Sequence, residues 1–243
     1  AVRFKNGGGL MLSRTDVDDN SENGAYYRVY NSSDVFLGLG YVNKEKEELS
    51  VKKQFWYTGV LMKIVYDIIP SENESFTALG FFDGVHLGHK DVICTAVENA
   101  KALGVKSCVL TFSRRPKSIL TGESDMFLTT ESEKIRLIES LGVDLLYIVD
   151  FKEMMSLSGE EFVKTILVDT LKCKGVVCGF NYHFGKGGKC DSNALAKICE
   201  KYNCKTVSRE PILYDGECIS SSRIRNLLQN GKVLSANKML GHK

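Results

Sequence analysis

The sequence lacks the features that direct a chain to a membrane or to an oxidising compartment. No apolar run approaches the roughly 20 residues that a membrane-spanning helix needs, and the first residues, AVRFKNGGG, lack the apolar segment of a signal peptide. The 243 residues carry a net charge of only +2, which does not indicate a nucleic-acid coat or a membrane-surface helix. We therefore expect a soluble, cytoplasmic globular protein, and the start at Ala1 within a strand-like stretch is typical of a fragment.

Cysteine is unevenly distributed along the chain. None of the eight cysteines precedes Cys94 and none forms a CxxC pair. Most lie in apolar runs such as SCVLTF and GVVCGF, which is typical of reduced, partly buried thiols in a cytosolic protein. Four residues separate Cys173 from Cys178, and four separate Cys199 from Cys204. This spacing is loose for zinc, so a zinc site stays an alternative and no protein-held metal is predicted.

The composition divides the chain near residue 60. Residues 1–61 contain short β-rich runs (AYYRVYN, VFLGLGYV, VKKQFWYTG) separated by turn-forming residues, and the charged residues 44–48 indicate a solvated hairpin tip or loop. In residues 62–243 apolar strands such as FTALGFF and SCVLTF alternate with amphipathic helices. This alternation indicates a parallel sheet covered on both faces. The predicted fold class is α/β, a Rossmann-like doubly wound parallel sheet preceded by a small all-β domain.

Two of the four histidines, His86 and His89, lie in LGFFDGVHLGH, directly after what we take to be the first strand of the α/β domain. Ligands of open parallel sheets bind beyond the carboxyl ends of the strands. Gly84 and Gly88 let the backbone turn tightly and approach a ligand closely. The helix that begins here offers free N–H groups and the positive end of its dipole. The segment therefore predicts a phosphate site, with a polar turn carrying incidental histidines as the alternative.

A second segment, ISSSRIR, has the composition of an anion site. Three serines stand at the predicted start of a helix and Arg225 lies one turn inside it, so hydroxyls, N–H groups and a guanidinium converge. In a third segment, GFNYHFGKGG, Asn181 follows another buried strand. Tyr182 and Phe184 beside it either stack on a flat ring or belong to the core.

Together these three segments resemble a known family. GFFDGVHLGH looks like the H-x-G-H signature of the nucleotidyltransferase superfamily, in the form found in prokaryotic bifunctional riboflavin kinase/FMN adenylyltransferases, the FAD synthetases. GFNYHFGKGGKCD resembles that family's G-x-(D/N)-F-x-F-G segment, and GECISSSRIRNLLQNG resembles its I-S-S-(T/S)-x-x-R segment. The resemblance covers residues 62–243, and the sequence ends before the family's riboflavin kinase domain.

The resemblance implies transfer of AMP from ATP to the phosphate of FMN, giving FAD and pyrophosphate, with nucleotide-bound Mg²⁺ and a monomeric enzyme. It assigns catalysis to His86, His89 and Arg225. The implied ATP-binding residues are Gly80, Phe81, Phe82, Asp83, Gly84, Gly88, Asn181, Ser220, Ser221 and Ser222. The implied FMN-binding residues are Thr111, Phe112, Ser113, Arg114, Tyr182 and Phe184.

One loop departs from the family pattern. The family usually has a T-F-D-P-H-P-like turn, whereas this chain has TFSRRP, in which Ser113 and Arg115 replace the acidic residue and the histidine. We expect Arg114 or Arg115 to contact a substrate phosphate, with a solvated basic turn as the alternative.

Residues 1–61 resemble a different protein. YYRVYNSSDVFLGLGYVNKEKEELSVKKQF is similar to the C-terminal PUA-like domain of bacterial tRNA pseudouridine-55 synthases, which implies a fusion or read-through product and a contact with tRNA. A β appendage with a structural role only is the alternative.

Two other functions stay open for the whole chain. One is an HxGH transferase with a phosphopantetheine, nicotinate mononucleotide or glycerol phosphate acceptor, and the other is an RNA-binding fusion with a vestigial transferase domain.

Overall fold

The chain divides into two compact units, Ala1–Leu61 and Met62–Lys243. The computed structural model describes residues 10–11, 22–24, 26–30, 36–54, 62–114 and 126–242. In the first unit four strands form an antiparallel sheet in the order β1-β4-β3-β2, namely β1 (Leu10–Met11), β2 (Tyr26–Tyr30), β3 (Phe36–Asn43) and β4 (Glu48–Gln54). Residues 44–47 are the exposed turn between β3 and β4, which confirms the predicted hairpin tip.

The second unit contains a six-stranded, entirely parallel sheet in the order β10-β9-β6-β7-β8-β5. Its strands are β5 (Lys63–Val65), β6 (Ser75–Leu79), β7 (Lys106–Phe112), β8 (Leu145–Val149), β9 (Cys173–Gly179) and β10 (Lys205–Arg209). A small hairpin follows, made of β11 (Leu213–Tyr214) and β12 (Glu217–Cys218). The predicted Rossmann-like α/β class is confirmed, but the prediction that 75–79 is the first strand is wrong, because the three-residue β5 precedes it at the sheet edge.

Helices cover both faces of this sheet. They are α1 (Leu87–Leu103), α2 (Glu131–Glu139), α3 (Gly159–Glu161, continued by the π-helical Phe162–Thr170), α4 (Ser192–Glu200), α5 (Ser221–Gln229) and α6 (Val233–Leu240). On one face α3 and α4 pack against Leu110 and Val176, and on the other α1 and α2 pack against Val109 and Val177. Every residue of β6 and β8 is buried. Burial on both faces explains why these strands are continuous apolar runs rather than alternating ones.

The starts of α2 and α3 coincide with capping residues, and the helix that continues α3 departs from the α-helical hydrogen-bond register. Thr130 and Ser158 accept hydrogen bonds from the third residue of α2 and α3, and at Ser158 the side chain of Glu161 also accepts the backbone N–H of Ser158, which completes a capping box. In the helix after Ser158 the amide of Leu171 bonds to the carbonyl of Ile166, five residues earlier, which is a π-helical register. Apolar residues spaced three and four apart fit both helical registers, so the sequence pattern could not distinguish them.

The cysteines in apolar runs are buried, as the sequence predicted. Cys108, Cys173, Cys178, Cys199 and Cys204 are buried, and all eight thiols are free. Among the residues described, no group of three or more His, Cys, Asp or Glu side chains could hold a metal ion. Within the same part of the chain, no helix is long and apolar enough to cross a membrane.

The order of the strands creates a crevice at the carboxyl ends of the central strands of the parallel sheet. From β6 the chain moves to β7 on one side and later returns to β9 on the other side of β6. The loops that leave the carboxyl ends of β6 and β9 therefore diverge, one after Leu79 and the other after Gly179. Such a reversal of strand order is the place where open α/β sheets bind ligands.

Candidate functional site

A cleft of about 410 Å³ opens at the divergence of β6 and β9. Its walls come from the β6–α1 loop, the β9–α4 loop, the segment after β10 and the start of α5. The predicted site residues that line it are Gly80, Phe81, Phe82, His86, Gly88, His89, Phe112, Asn181, Tyr182, Ser220, Ser221, Ser222 and Arg225. The predicted residues outside its described lining are Asp83, Gly84, Thr111, Ser113, Arg114 and Phe184. The three sequence segments therefore meet in one place.

The β6–α1 loop adopts an unusual backbone conformation. Phe82 and Val85 have positive φ angles of 55° and 36°, and Gly84 between them has φ 79°. Left-handed conformations at residues other than glycine cost about 1–3 kcal/mol each and are found preferentially at functional sites. The conformation buries Phe82 and Val85, and it folds the Phe82 ring over Gly80, where a Cβ atom would lie 2.8 Å from the ring. Glycine at position 80 is thus required by the close approach of Phe82.

His86 and His89 form a stacked pair at the start of α1. Their ring centroids are 3.6 Å apart with an interplanar angle of 17°. The ring of His89 also packs edge-on against the ring of Phe82, with the two centroids 5.3 Å apart. His86 is the N-cap residue, and its Nδ1 accepts a hydrogen bond from the backbone N–H of His89 at 3.3 Å. A neutral imidazole that accepts at Nδ1 carries its proton on Nε2. The cap therefore makes Nε2 of His86 a hydrogen-bond donor.

Both imidazoles are neutral at physiological pH. Burial lowers the pKa of His86 to about 4. The pKa of His89 lies well below its usual value because of burial, with smaller contributions from the neighbouring His86 and from Lys134. Nδ1 of His89 is buried and has no hydrogen-bond partner among the described residues. A buried nitrogen without a partner is rare in folded proteins and is consistent with a site that a ligand completes.

The carboxylate of Asp83 connects three segments around the cleft. It forms a buried ion pair with Arg225 of α5, and its Oδ1 accepts the backbone N–H groups of Leu128 and Thr129 at 2.9 and 3.3 Å. The carbonyl of Asp83 accepts the hydroxyl of Ser221 at 3.0 Å. Asp83 and Arg225, expected to contact ATP and its phosphates, thus hold the β6–α1 loop, the segment before α2 and the start of α5 together.

Neighbouring contacts reinforce this connection. Gly84, another expected ATP contact, donates its backbone N–H to the hydroxyl of Thr129 at 3.2 Å. Arg225 also donates from Nε to the carbonyl of Met126 at 2.7 Å. Arg225 still lines the cleft, but two of its nitrogen atoms are already engaged within the protein.

The start of α5 faces the same cleft as the start of α1. Ser220 is the N-cap residue predicted from the sequence, and its hydroxyl accepts the N–H of Arg223 at 3.2 Å. The hydroxyl of Ser221 is used by the carbonyl of Asp83, whereas Ser222 is exposed in the cleft. Two helix N-termini therefore present unpaired N–H groups and positive dipole ends to one volume, which favours a polyanionic ligand.

The aromatic residues expected to bind FMN separate into two groups. Phe184 is buried and packs against Phe162, so of the two predicted roles, stacking on a ligand ring or packing in the core, it has the second. Tyr182 is half-buried, stacks on Phe184 at 5.9 Å and lines the cleft. Thr111 is buried and donates to the carbonyl of Phe81 at 2.8 Å, while Arg114 ends a described segment and Arg115 lies outside the described residues.

Sequence reasoning missed Arg209 and Glu210 in the lining of the cleft, and it missed Lys134 in a neighbouring pocket. Arg209, the last residue of β10, lines the cleft and forms a bidentate ion pair with Asp91 of α1 at 2.6 and 2.8 Å. Lys134 of α2 is 5% exposed and lines a second pocket of about 280 Å³ that also includes Phe81 and Ser113. A lysine on an amphipathic helix is normally solvent-exposed, so the burial of Lys134 could not be predicted from the sequence.

Comparisons with known proteins agree with these segments. The family model for FAD synthetase matches residues 68–223. The bifunctional riboflavin kinase/FMN adenylyltransferase of Bacillus subtilis is 38% identical over 172 residues, covering 69% of this chain and 54% of the relative. The protein of the same name from Listeria monocytogenes is 36% identical over 191 residues, covering 74% and 60%.

A solved structure titled as a macrolide-efflux protein from Streptococcus pneumoniae is 27% identical, with a TM-score of 0.66, covering 75% of this chain and 62% of that one. The chain spans little more than half the length of the curated relatives it matches. Residues 1–61 lie outside the family match. Over its α/β unit, the chain belongs to the FAD synthetase family.

Proposed function

We propose that residues 62–243 transfer AMP from ATP to the phosphate of FMN, with FAD and pyrophosphate as products. The observation that carries this proposal is the stacked, neutral pair of His86 and His89 at one helix N-terminus, in the same cleft as the N-terminus of α5. This arrangement suits two phosphate-bearing substrates, and the names of the Bacillus and Listeria relatives supply FMN as the acceptor.

The reaction needs little activation of its nucleophile. The phosphate of FMN is already an anion, so an oxygen atom attacks the α-phosphorus of ATP directly and the bond to the bridging oxygen of the β-phosphate breaks. Pyrophosphate leaves with that electron pair. The protein must therefore bring two polyanions into line and stabilise the charge that develops on the α-phosphate and on the departing pyrophosphate.

The described residues divide this work between the two helix starts. Nε2 of His86 donates to an oxygen of the α- or β-phosphate. His89, stacked on the ring of His86, donates its imidazole N–H to a second phosphate oxygen. The N–H groups at the start of α5, with the hydroxyl of Ser222, receive the β- and γ-phosphates. Arg225 lines this end of the cleft and holds the loops in place through Asp83. Asn181 and Tyr182 form the opposite wall, where the nucleoside or the acceptor lies.

The described residues do not form a protein-held magnesium site. The buried carboxylate of the β6–α1 loop, Asp83, is already paired with Arg225 and with two backbone N–H groups. Within the described part of the chain no group of three His, Cys, Asp or Glu residues could hold a metal ion. We therefore take Mg²⁺ to be part of the Mg-ATP substrate, where it keeps much of its water shell.

The direct test is to mix the purified chain with Mg-ATP and FMN and to detect FAD by chromatography. We expect FAD and pyrophosphate in equal amounts. Riboflavin in place of FMN should give no dinucleotide, because it lacks the attacking phosphate. Turnover of phosphopantetheine, nicotinate mononucleotide or glycerol phosphate, with none of FMN, would instead favour another HxGH transferase.

Replacing His89 with alanine tests the site itself. Loss of one stabilising donor typically lowers turnover by about 10²-fold or more, and we expect that loss with the far-ultraviolet circular dichroism unchanged. Lys101→Ala, at the exposed end of the same helix, is the control and should keep wild-type turnover. If His89→Ala retains near-normal turnover, the two histidines do not form the phosphate site.

Other expectations from the sequence stay predictions. The PUA-like identity of residues 1–61 and their contact with tRNA rest on a resemblance outside the family match. The monomeric state and the cytoplasmic location stand in the same position. A gel-shift titration of the chain with tRNA is the measurement that tests the first of these.

A further inference from the structure

Lys134 is a buried cation that the proposed mechanism does not use. It projects from α2, its residue is 5% exposed, and no carboxylate of the described residues lies within ion-pair distance of its ammonium. Lysine is almost never buried without a partner, because the charge loses its hydration. A methionine would fill the same space without that cost, so the retention of a charge there calls for a functional reason.

The contacts of Lys134 all belong to the carboxyl edge of the sheet. Nζ donates to the carbonyl of Phe112 at 3.0 Å and more weakly to the hydroxyl of Thr111 at 3.5 Å. It also lies over the ring of Phe81, 4.9 Å from the centroid. The hydroxyl of Thr111 in turn donates to the carbonyl of Phe81 at 2.8 Å. Lys134 therefore ties the end of β7 to the loop after β6.

This tie lies between two volumes. Phe81 and Phe112 line the nucleotide cleft, and Phe81 with Lys134 lines the second pocket of about 280 Å³, which also includes Phe127 and Ser113. The two helix N-termini belong to the cleft, which suits the triphosphate. A second substrate that attacks in line must come from another direction, and the pocket behind Phe81 adjoins the cleft. An ammonium has three N–H donors, and two of them are accounted for above.

We propose that Lys134 is a positioning residue that sets the affinity of the enzyme for its anionic acceptor. Its ammonium fixes Phe81 and the carboxyl end of β7 between the two volumes, and its charge attracts the acceptor phosphate toward the α-phosphate of ATP. This role rests on the proposed transfer to FMN. It adds an acceptor-side cation that none of the three sequence motifs contains.

The charge of Lys134 depends on pH in an accessible range. Burial lowers its pKa to about 8, while the carboxylates of Glu131 on its own helix and of Asp83 on the β6–α1 loop act in the opposite direction. Asp83 is itself paired with Arg225 of α5, and His89 of α1, the other titratable group near the ammonium, is neutral. Lys134 is therefore mostly charged at pH 7 and mostly neutral at pH 9. An arginine in its place would stay charged at both.

The test compares Lys134→Met, Lys134→Gln and Lys134→Arg in steady-state assays of FAD formation. We expect Lys134→Met and Lys134→Gln to raise the KM for FMN roughly tenfold or more, as loss of a charge-assisted contact does. The KM for ATP and kcat should change by less than about threefold. Glutamine can still donate to the carbonyl of Phe112, so an equal effect of both variants attributes the loss to the charge. Arg136→Met, an exposed cation of the same helix, is the matched control and should behave as wild type.

The pH profile gives the second readout. In the wild type, kcat/KM for FMN should fall as the pH rises through about 8, and in Lys134→Arg this fall should be absent while the KM for FMN stays within threefold of wild type. An unchanged KM for FMN in Lys134→Met, an equal rise in the KM for ATP, or the same fall in Lys134→Arg would each overturn the proposal.

Direct FMN binding, followed by quenching of flavin fluorescence, separates this proposal from the proposed function. Wild-type protein that binds no FMN overturns both. Wild-type protein that makes FAD, together with a Lys134→Met variant that binds FMN equally well, overturns only the role of Lys134. If Lys134→Met fails to fold, Lys134→Gln and Lys134→Arg, which keep a donor for Phe112, supply the comparison.

Discussion

Replacing Asp83 with asparagine should destabilise the α/β unit far more than replacing an exposed acidic residue. Asp83 is 3% exposed and the side chain of Arg225 is 11% exposed. Removing one partner of such a buried ion pair typically costs about 3–5 kcal/mol, because the other charge stays in the interior without compensation. Asparagine keeps an oxygen for the backbone N–H groups of Leu128 and Thr129, so the substitution isolates the charge.

The expected effect is a large shift of the thermal transition. For a unit of this size 1 kcal/mol corresponds to about 2–4 °C, so Asp83→Asn should lower the Tm by roughly 6–20 °C. Far-ultraviolet circular dichroism is the assay, because every helix of the described residues lies in residues 62–242. Glu133→Gln removes an exposed ion pair with Arg136 and should shift the Tm by less than about 2 °C, since such pairs contribute about 0.5 kcal/mol.

A double variant completes the test of the buried pair. Arg225→Met alone leaves the carboxylate of Asp83 buried and uncompensated, so it should be as destabilising as Asp83→Asn. The combination of both leaves no unpaired charge and should cost clearly less than the two single effects added together. If Asp83→Asn melts within about 2 °C of wild type, or if the two effects simply add, the ion pair does not hold the loops together.

Two further predictions concern acid stability and the boundary near residue 60. Because burial lowers the pKa of His86 to about 4 from 6.5, the unfolded chain binds more protons between these values. The free energy of unfolding should therefore rise with pH over this window by up to about 3 kcal/mol, and less steeply in His86→Asn; a wild-type curve no steeper than that of His86→Asn would contradict this. A chain that begins at Met62 should fold and form FAD within a few-fold of the full chain, since its roughly 180 residues can form their own core; loss of both fold and activity would show that the boundary is wrong.

The fold of the α/β unit could be predicted because its elements are strongly patterned. Strands buried on both faces are continuous apolar runs, and the helices between them have one apolar face and recognisable caps, as at Ser158 and Gly104. The edge strand β5 was missed because three residues are too few to show a period. The π-helical register of Phe162–Thr170 was missed because apolar spacing is the same in both registers.

The meeting of the three motifs could also be predicted, whereas the pairing of their side chains could not. Carboxyl ends of parallel strands share one edge of a sheet, so segments that follow two such strands were expected to meet. Which charge faces a ligand and which faces another residue depends on tertiary contacts. Arg225 was expected to bind phosphate, but its nearest anion in the protein is Asp83, some 140 positions away in sequence. Lys134 carries no local sign of burial, because its helix looks ordinarily amphipathic.

These pairings determine which groups of the proposed site are free to bind phosphate. The two histidines of the signature are neutral, because burial lowers the pKa of both. The buried cations Arg225 and Lys134 contact protein oxygens that fix the loops. The donors left for phosphate are then mainly the imidazole N–H groups of His86 and His89 and the backbone N–H groups at the starts of α1 and α5. Fixed dipoles of this kind need no reorganisation as charge moves from the α-phosphate to pyrophosphate. Loosening the loops should therefore lower turnover even where the histidines and the helix N-termini are retained, and Asp83→Asn, which removes the ion pair with Arg225, is the variant that tests this.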